Sequence, residues 1–201
     1  MSFERNVFIN CPFDNDYKPL LKALIFTIVH LDFEPQIAIT TSSANVRIHQ
    51  IMRLIRDSKY SIHDISRCAP LRQGELPRFN MPYEMGLDIG CGQYGAGKLR
   101  NKQCLVLEKE KNRYDAVISD ISGQDIKDHN NEPKELIEKV REWFGAILNT
   151  QVPGAVNIWD KYNDCLIAIN TIFQNEFTQQ EINNFQPAEF IKAVKLTRTL
   201  P

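Results

Sequence analysis

Short apolar runs alternate along this chain with longer amphipathic segments, and this alternation constrains the fold more than any other feature. Val7-Phe8-Ile9 and Cys104-Leu105-Val106-Leu107 are unbroken apolar runs, which are typical of strands buried on both faces of a sheet. Between such runs, apolar residues recur at helical spacing. Strands that alternate with helices at short spacing favour a parallel sheet that is covered by helices on both faces.

The complete pattern predicts five strands, with helices between most of them. We place the strands at residues 7–9, 36–41, 60–66, 104–107 and 125–129. We place the helices around residues 21–28, around residues 48–55, from Pro82 into the glycine-rich tract 90–97, and from Pro133 to residue 147. Asp16 is expected to cap the first helix. The sequence therefore predicts an α/β fold, a parallel five-stranded sheet flanked by helices.

The character of the chain changes after residue 150. Trp159, Tyr162 and Leu166 lie on one helical stripe, and no further strand pattern follows. We therefore predict an α/β domain over residues 1–150 and a C-terminal helical extension over residues 151–201. The extension is expected to pack on the α/β domain or on a second subunit, and its apolar stripe predicts a homo-oligomer.

Charge and hydropathy exclude several classes of protein. Lys and Arg number 24 against 25 Asp and Glu, so the net charge is −1 and no global positive field attracts nucleic acid. The longest apolar stretch, residues 20–31, is interrupted by Lys22, Thr27 and His30, which predicts no membrane span. The first residues carry charge where a signal peptide would be apolar, so no secretory signal is expected.

Cysteine and histidine usage indicates a reducing compartment without a metal centre. The five cysteines are scattered, and none forms a C-x-x-C pair, so we predict reduced thiols in the cytoplasm. The four histidines stand apart from one another in the sequence, so no metal site is expected.

A glycine-rich motif, Gly90-Cys91-Gly92-Gln93-Tyr94-Gly95, matches the dinucleotide-binding fingerprint G-x-G-x-x-G. That mechanism requires a strand before the motif and a helix that starts on it. Here a predicted helix precedes the motif and a strand follows, so we expect these glycines to end the third helix.

Polar side chains gather where the predicted strands end. In a parallel sheet, ligands bind outside the carboxyl ends of the strands, near the switch point in strand order. Residues 10–14, 64–67 and 79–84 should meet there. The candidate catalytic residues are Glu84 and Asp64, and the candidate substrate-binding residues are Asn10, Pro12, Phe13, Asp14, Ser66, Arg67, Asn80 and Tyr83.

The two carboxylates carry the strongest signal, and each has a structural alternative. Glu84 falls in the first turn of a helix between apolar neighbours, and the alternative role is a helix-dipole partner exposed to water. Asp64 lies in a strand suited to burial, where a carboxylate must be paired or hydrogen-bonded, and the alternative role is to satisfy loop N–H groups. Plain packing is the alternative for Phe13, and a solvated loop charge is the alternative for Arg67.

Two parts of this pattern resemble known families. Asn6-Val7-Phe8-Ile9-Asn10, followed by a polar loop and an amphipathic helix, is similar to the opening of TIR domains. A third strand that ends in Asp64, followed by Asn80-Met81-Pro82-Tyr83-Glu84-Met85-Gly86, resembles the nucleoside 2-deoxyribosyltransferase-like superfamily. The segments 77–82 and 119–125 are also similar to uncharacterised bacterial TIR-like proteins.

This resemblance, which spans residues 5–148, implies a flavodoxin-like or TIR-like sheet and the cleavage of an N-glycosidic bond. The Glu of the Glu-x-Gly helix is catalytic in the superfamily, so Glu84 is expected to stabilise or attack the positive charge on the sugar as the base leaves. Asp64 is expected to hold sugar hydroxyls or to carry a proton. No cofactor is implied, NAD or another nucleotide is a candidate substrate, and the TIR likeness implies a role in bacterial defence.

The chain also departs from both families. TIR enzymes usually carry a Ser or Thr and a Trp-Cys dipeptide upstream of their Glu, whereas residues 67–80 form a longer and different loop. Transferases usually have small residues before the Glu, where this chain has Pro82 and Tyr83. The base and the sugar therefore stay undetermined. The alternative function is a non-catalytic TIR-like module that senses a nucleotide or assembles with partners.

Overall fold

The sheet and its helices are described over residues 2–38, 46–70, 74 and 76–199 of the computed structural model. The strands are β1 (Asn6–Asn10), β2 (Glu34–Ile37), β3 (Tyr60–Asp64), β4 (Gln103–Glu108) and β5 (Lys127–Asp128). The helices are α1 (Lys18–His30), α2 (Arg47–Arg56), α3 (Asn80–Tyr94), α4 (Pro133–Ile147), α5 (Ala155–Phe173), α6 (Gln179–Asn183) and α7 (Pro187–Thr197).

The five strands form one all-parallel sheet in the order β2-β1-β3-β4-β5. Side chains alternate between its faces, as they do in any strand. Val7 and Ile9 of β1 pack in the core built by α1 and α4, whereas Phe8 between them packs against Ile51 and Ile55 of α2. The predicted α/β architecture with helices on both faces is therefore confirmed.

The C-terminal helices α5, α6 and α7 share the core of the α/β unit. Ile158, Ile182 and Phe190 belong to the same buried cluster as the sheet residues Val7 and Ile62. The helical extension thus packs on the α/β unit, which was one of the two arrangements that the sequence predicted.

The apolar stripe of α5 is covered by this packing. Tyr162 is 5% exposed, and Trp159 and Leu166 pack against the same core from partly buried positions. The stripe is therefore accounted for within the chain, and it no longer supports the predicted homo-oligomer.

Several element boundaries differ from the predictions. β3 ends at Asp64 rather than Ser66, because the side chain of Asp64 turns the chain by accepting the N–H of Ser66. β2 begins at Glu34, and the predicted strand residues 39–41 lie outside the described residues. α3 begins at Asn80, so that Pro82 lies inside the first turn, where its missing N–H costs no helical hydrogen bond.

The cap of the first helical segment is Asp14 rather than Asp16. The carboxylate of Asp14 accepts the N–H of Tyr17 at 3.0 Å and so opens a single 3-10 turn, Asn15–Tyr17, that leads into α1. Asp16 lies inside that turn, two residues after the capping position.

Two further features bear on the predicted class of protein. Among the helices of the described ranges, none is long and apolar enough to cross a membrane. All five cysteines are free thiols.

The shared core predicts that the extension and the α/β unit unfold together. Phe190 is 2% exposed in this core, so Phe190→Ala should lower the free energy of unfolding by about 3–5 kcal/mol. Ile167→Ala on α5, whose side chain is 66% exposed, is the control and should change little. Urea unfolding followed by circular dichroism measures both. A separate early transition for residues 151–201, with an unmoved main transition in Phe190→Ala, would contradict a common core.

Candidate functional site

The strand order places a switch point between β1 and β3 at the carboxyl edge of the sheet. The chain leaves β1 toward β2 on one side and reaches β3 on the other, and open α/β sheets commonly bind ligands at such a point. Residues 10–14 follow β1 and residues 64–67 follow β3. Both segments therefore lie where the sequence predicted them.

Asp64 is fully buried at this edge and is the centre of a hydrogen-bond network. Its Oδ2 accepts the Tyr17 hydroxyl at 2.5 Å and lies 2.9 Å from His129 Nε2. Its Oδ1 accepts the Ser66 N–H at 2.9 Å and also the Ser66 hydroxyl. Burial raises the pKa of Asp64, but the interactions with His129, Ser66 and Tyr17 hold it below its ordinary value.

This network gives Asp64 a structural role. Four donors surround a carboxylate that is 0% exposed. The carboxylate therefore has little capacity left to accept a hydrogen bond from a sugar hydroxyl or to take part in proton transfer. The donors come from the loop after β1, the loop after β3 and the segment after β5. These contacts agree with the structural alternative for Asp64, in which the aspartate satisfies loop N–H groups.

Asp14 and Arg67 join the loops after β1 and β3 by an ion pair. Arg67 donates through Nε to Asp14 Oδ2 at 3.0 Å and through Nη2 to Asp14 Oδ1 at 3.1 Å, and Arg78 Nη1 lies 3.3 Å from the same carboxylate. Burial raises the pKa of Asp14, but Arg67 lowers it below its ordinary value. One carboxylate thus pairs with two arginines from the loop that follows β3.

Glu84 differs from these carboxylates because it is buried without a partner. The prediction that Glu84 lies in the first turn of its helix is wrong: α3 begins at Asn80, so Glu84 lies in the second turn, and the residue is 8% exposed. In the part of the chain that the structure describes, no side chain or N–H group donates a hydrogen bond to its carboxylate. Burial raises the pKa of Glu84, and the charges of Arg47 and His63 only partly oppose this rise. A buried carboxylate without a hydrogen-bond partner lowers the stability of the fold. Ionisable groups whose pKa is perturbed in this way cluster at functional sites.

A second buried network fixes the start of α3 against the sheet. Asn10 Nδ2 donates to the Met81 carbonyl at 2.8 Å and lies 2.9 Å from His63 Nδ1. His63 Nε2 lies 3.0 Å from Asp88 Oδ2, and Lys102 Nζ pairs with Asp88 Oδ1 at 2.8 Å. Burial raises the pKa of Asp88, but His63 and Lys102 lower it to about 2. These bonds hold the first turns of α3, and therefore Glu84, in place.

The two predicted catalytic carboxylates approach the edge from opposite faces of the sheet. Tyr60, Ile62 and Asp64 are every second residue of β3, so their side chains share one face of the sheet. Tyr60 and Ile62 pack there in the core of α1 and α4. The helix α3, which carries Glu84, covers the other face. The thiol of Cys11 lies near both: burial raises its pKa, and the two carboxylates raise it further. The expected pair thus consists of one available carboxylate, Glu84, and one structural carboxylate, Asp64.

The predicted substrate-binding residues divide by exposure. The buried ones are Asn10, Pro12, Ser66 and Arg67, and the exposed or half-exposed ones are Phe13, Asp14, Asn80 and Tyr83. Phe13 lines a cavity between α1 and α7 together with Phe190. Asn80 and Tyr83 are exposed within the first turn of α3, so they are the members of the set that lie beside Glu84 and remain open to a ligand.

Sequence reasoning missed the partners that organise this edge. Tyr17 and His129 hold Asp64, and Arg113 joins Glu108 at 3.0 Å to the Ser66 carbonyl at 2.9 Å. The local sequence gives no signal for these contacts, because each joins residues from separate elements. Only Asp88 could have been singled out from the sequence, because it is an acidic residue one helical turn after Glu84 in a helix with many apolar residues.

The fold brings together one group of possible metal ligands within the described residues. Donor atoms of His63, Asp88 and Cys104 all lie within 4.8 Å of one another, although these residues are distant in sequence. Asp88 already pairs with the Lys102 ammonium and accepts the Ser61 hydroxyl. The positive charge of Lys102 opposes a metal cation at this place.

Comparisons with protein-family models, with curated proteins and with solved structures find no match for this chain.

The Asp64 network predicts a large and pH-dependent loss of stability in Asp64→Asn. The amide offers donors where Tyr17, His129 and Ser66 already donate, so the free energy of unfolding at neutral pH should fall by about 2–3 kcal/mol. Because the pKa of Asp64 is lowered in the fold, its stabilisation is present above the unfolded pKa and is lost as pH falls through the folded pKa.

Urea unfolding at neutral and acidic pH measures this effect, with Asp16→Asn as the control at an exposed position. The difference between wild type and Asp64→Asn should shrink in acid. A variant as stable as wild type at neutral pH would show that the network does not hold the loops.

Proposed function

We propose that this protein cleaves the N-glycosidic bond of a nucleotide or nucleoside, with Glu84 as its catalytic carboxylate. The observation that carries the proposal is the state of Glu84: 8% exposed, without a described partner, and located at the carboxyl edge where α/β sheets bind ligands. A carboxylate that is partly removed from water stabilises a neighbouring positive charge more strongly than a fully solvated one does. The resemblance to the nucleoside 2-deoxyribosyltransferase-like superfamily assigns the same role to the same residue.

In the proposed reaction, the bond between C1′ and the base nitrogen breaks and its electron pair leaves with the base. The carboxylate of Glu84 stabilises the positive charge on the sugar or bonds to C1′. Water then bonds to C1′, which gives hydrolysis, or a second base does so, which gives transfer. Where a bond from C1′ to Glu84 has formed, it breaks at this step and its electron pair returns to the carboxylate. The proton that the incoming group loses passes to the released base or to solvent. The buried position of Glu84 serves this step, because desolvation favours the attack of the carboxylate on a cation.

The state of Asp64 favours one group of substrates. Because its carboxylate is occupied by four donors, we do not assign it the protonation of the leaving base. A pyridinium base such as nicotinamide leaves as a neutral molecule and needs no proton. NAD is therefore a substrate candidate on chemical grounds, as it is from the TIR resemblance, and we place the reaction in the cytoplasm, where free thiols persist.

A non-catalytic module of the TIR type is the second candidate. It is favoured by the exposed aromatic side chains of α3 and its cap, where Phe79 is 63%, Tyr83 59% and Tyr94 89% exposed. Exposed aromatic residues of this kind are typical of surfaces that bind partners. A homo-oligomer formed through this surface belongs to this second candidate.

The proposal predicts that Glu84→Gln abolishes base release. Loss of the charge that stabilises the sugar cation should lower kcat by about a thousandfold or more, with the fold preserved. The measurement is chromatography of free base after incubation with nucleosides, nucleotides and NAD. Glu138→Gln, at an exposed position of α4, is the control and should keep full activity. If wild type releases no base from any substrate, the non-catalytic module becomes the better description.

Glu84→Gln should also stabilise the protein at neutral pH. The pKa of Glu84 is raised in the fold, so ionised Glu84 opposes folding, and stability falls as pH rises from the unfolded pKa through the folded pKa. Gln removes this cost. Melting temperatures should be higher for Glu84→Gln than for wild type at neutral pH, and the difference should vanish in acid below the ordinary pKa of glutamic acid. A lower melting temperature at neutral pH would mean that Glu84 has a stabilising partner.

A further inference from the structure

A cavity of about 390 Å³ lies between α2 and α3. Its apolar lining consists of Met52 and Ile55 of α2, Leu87 and Cys91 of α3, and Leu99, which follows α3. Burial raises the pKa of the Cys91 thiol, so this side chain stays uncharged and adds to the apolar surface. Cavities that bind small molecules have volumes of about 300–1,000 Å³ and are lined mainly by apolar groups, so this cavity has the size and the lining of a ligand site.

The apolar part of this lining is aliphatic. Ile55, Leu87 and Leu99 present branched side chains, and none of the described lining residues is Phe, Tyr or Trp. Met52 is 50% exposed at the mouth of the cavity, and an unbranched thioether side chain adapts its shape to what it contacts. Because aliphatic side chains offer no flat face to an aromatic ring, the lining favours a flexible aliphatic chain.

The charged groups of the cavity all have the same sign. Its remaining lining residues are His49, Arg53 and Arg56, and no Asp or Glu is present among the described residues that line it. Arg56 Nε lies 3.7 Å from Asp57. Arg53 is exposed and its side chain forms no hydrogen bond or ion pair within the described part of the chain. A free guanidinium beside apolar surface is complementary to an anion that carries an apolar group, because its N–H groups match the oxygens of a carboxylate or a phosphate.

We propose that this cavity binds an amphiphile that has one aliphatic chain and an anionic head group, either a carboxylate or a phosphate. The chain contacts the aliphatic lining, and its removal from water supplies most of the binding free energy. The head group lies at the mouth of the cavity against Arg53, which selects for negative charge. Glu84 is not among the described residues that line the cavity, so this inference does not depend on the proposed function.

Four probes that share one chain and differ in head group test the inference: octanoate, octyl phosphate, octanol and octylamine. Calorimetric titration is carried out below the concentrations at which the probes form micelles. Wild type should bind octanoate or octyl phosphate about tenfold or more tightly than octanol, and octylamine most weakly. The tighter of the two anions identifies the head group. Equal binding of the anions and octanol would overturn the inference, and so would the absence of binding of both anions.

Two variants at the mouth of the cavity connect binding to this place. Arg53→Gln should weaken the binding of the preferred anion by about tenfold and leave octanol unchanged. Met52→Glu adds a carboxylate at the mouth, so it should weaken the anion further and strengthen octylamine. Arg47→Gln, on the same helix but not in the lining, is the matched control and should behave as wild type.

All three substituted positions are exposed, so the fold should be preserved, which circular dichroism checks. Anion binding that is unchanged in both Arg53→Gln and Met52→Glu would overturn the inference.

An anionic membrane surface is the competing occupant, and cosedimentation with phosphatidylglycerol vesicles distinguishes it. Wild type that binds the monomeric anions and does not sediment with vesicles supports a cavity for single amphiphiles. Wild type that sediments with vesicles and binds none of the monomeric anions overturns the inference, and the basic face of α2 would then be a membrane-binding surface.

Discussion

The arrangement of the carboxyl edge depends on one constraint: a carboxylate that is removed from water must find donors. Asp64 is 0% exposed at the end of β3, and it meets this constraint by drawing Tyr17, Ser66 and His129 onto its two oxygens. Each donor belongs to a different connection of the sheet. One buried charge thereby sets the relative positions of the loops at this edge, because none of them can move without leaving the charge unsatisfied.

Glu84 has the same functional group and the opposite environment. The residue is 8% exposed, against 0% for Asp64, and the described part of the protein supplies its carboxylate with no hydrogen-bond donor. The neighbouring Asp88, one helical turn further along α3, forms ion pairs with His63 and Lys102. Two acids on one helix therefore have different environments: Asp88 fixes the helix to the sheet, and burial raises the pKa of Glu84. A buried acid without a hydrogen-bond partner lowers stability, which is the reason why the proposed function was assigned to Glu84 and not to Asp88.

Several charges near this edge are used to join loops. Asp14 pairs with Arg67 and Arg78 and at the same time caps the turn that leads into α1. Arg113 in the same way joins Glu108 to the Ser66 carbonyl. A sequence-based count of basic residues therefore overestimates the positive charge that is free at this edge.

The sequence by itself determined the elements, and to a large extent their order. Local periodicity identifies the apolar runs of β1 and β4 and the helical stripes of α1 and α4. Side chains that face the core recur every two residues in a strand and every 3.6 residues in a helix. For the same reason the sequence identified Glu84: an acid among apolar residues at a helix start is visible without a structure.

Only the tertiary structure decided what each polar side chain does. Asp64 and Glu84 were both candidate catalytic residues in the sequence, but the environment of Asp64 depends on donors such as Tyr17 and His129 that lie far away along the chain. The same holds for the stripe of α5, whose residues pack on the chain's own core rather than on a second copy. Hydrogen bonds and packing join residues according to distance in space, and local periodicity carries no information about which distant residue will be the partner.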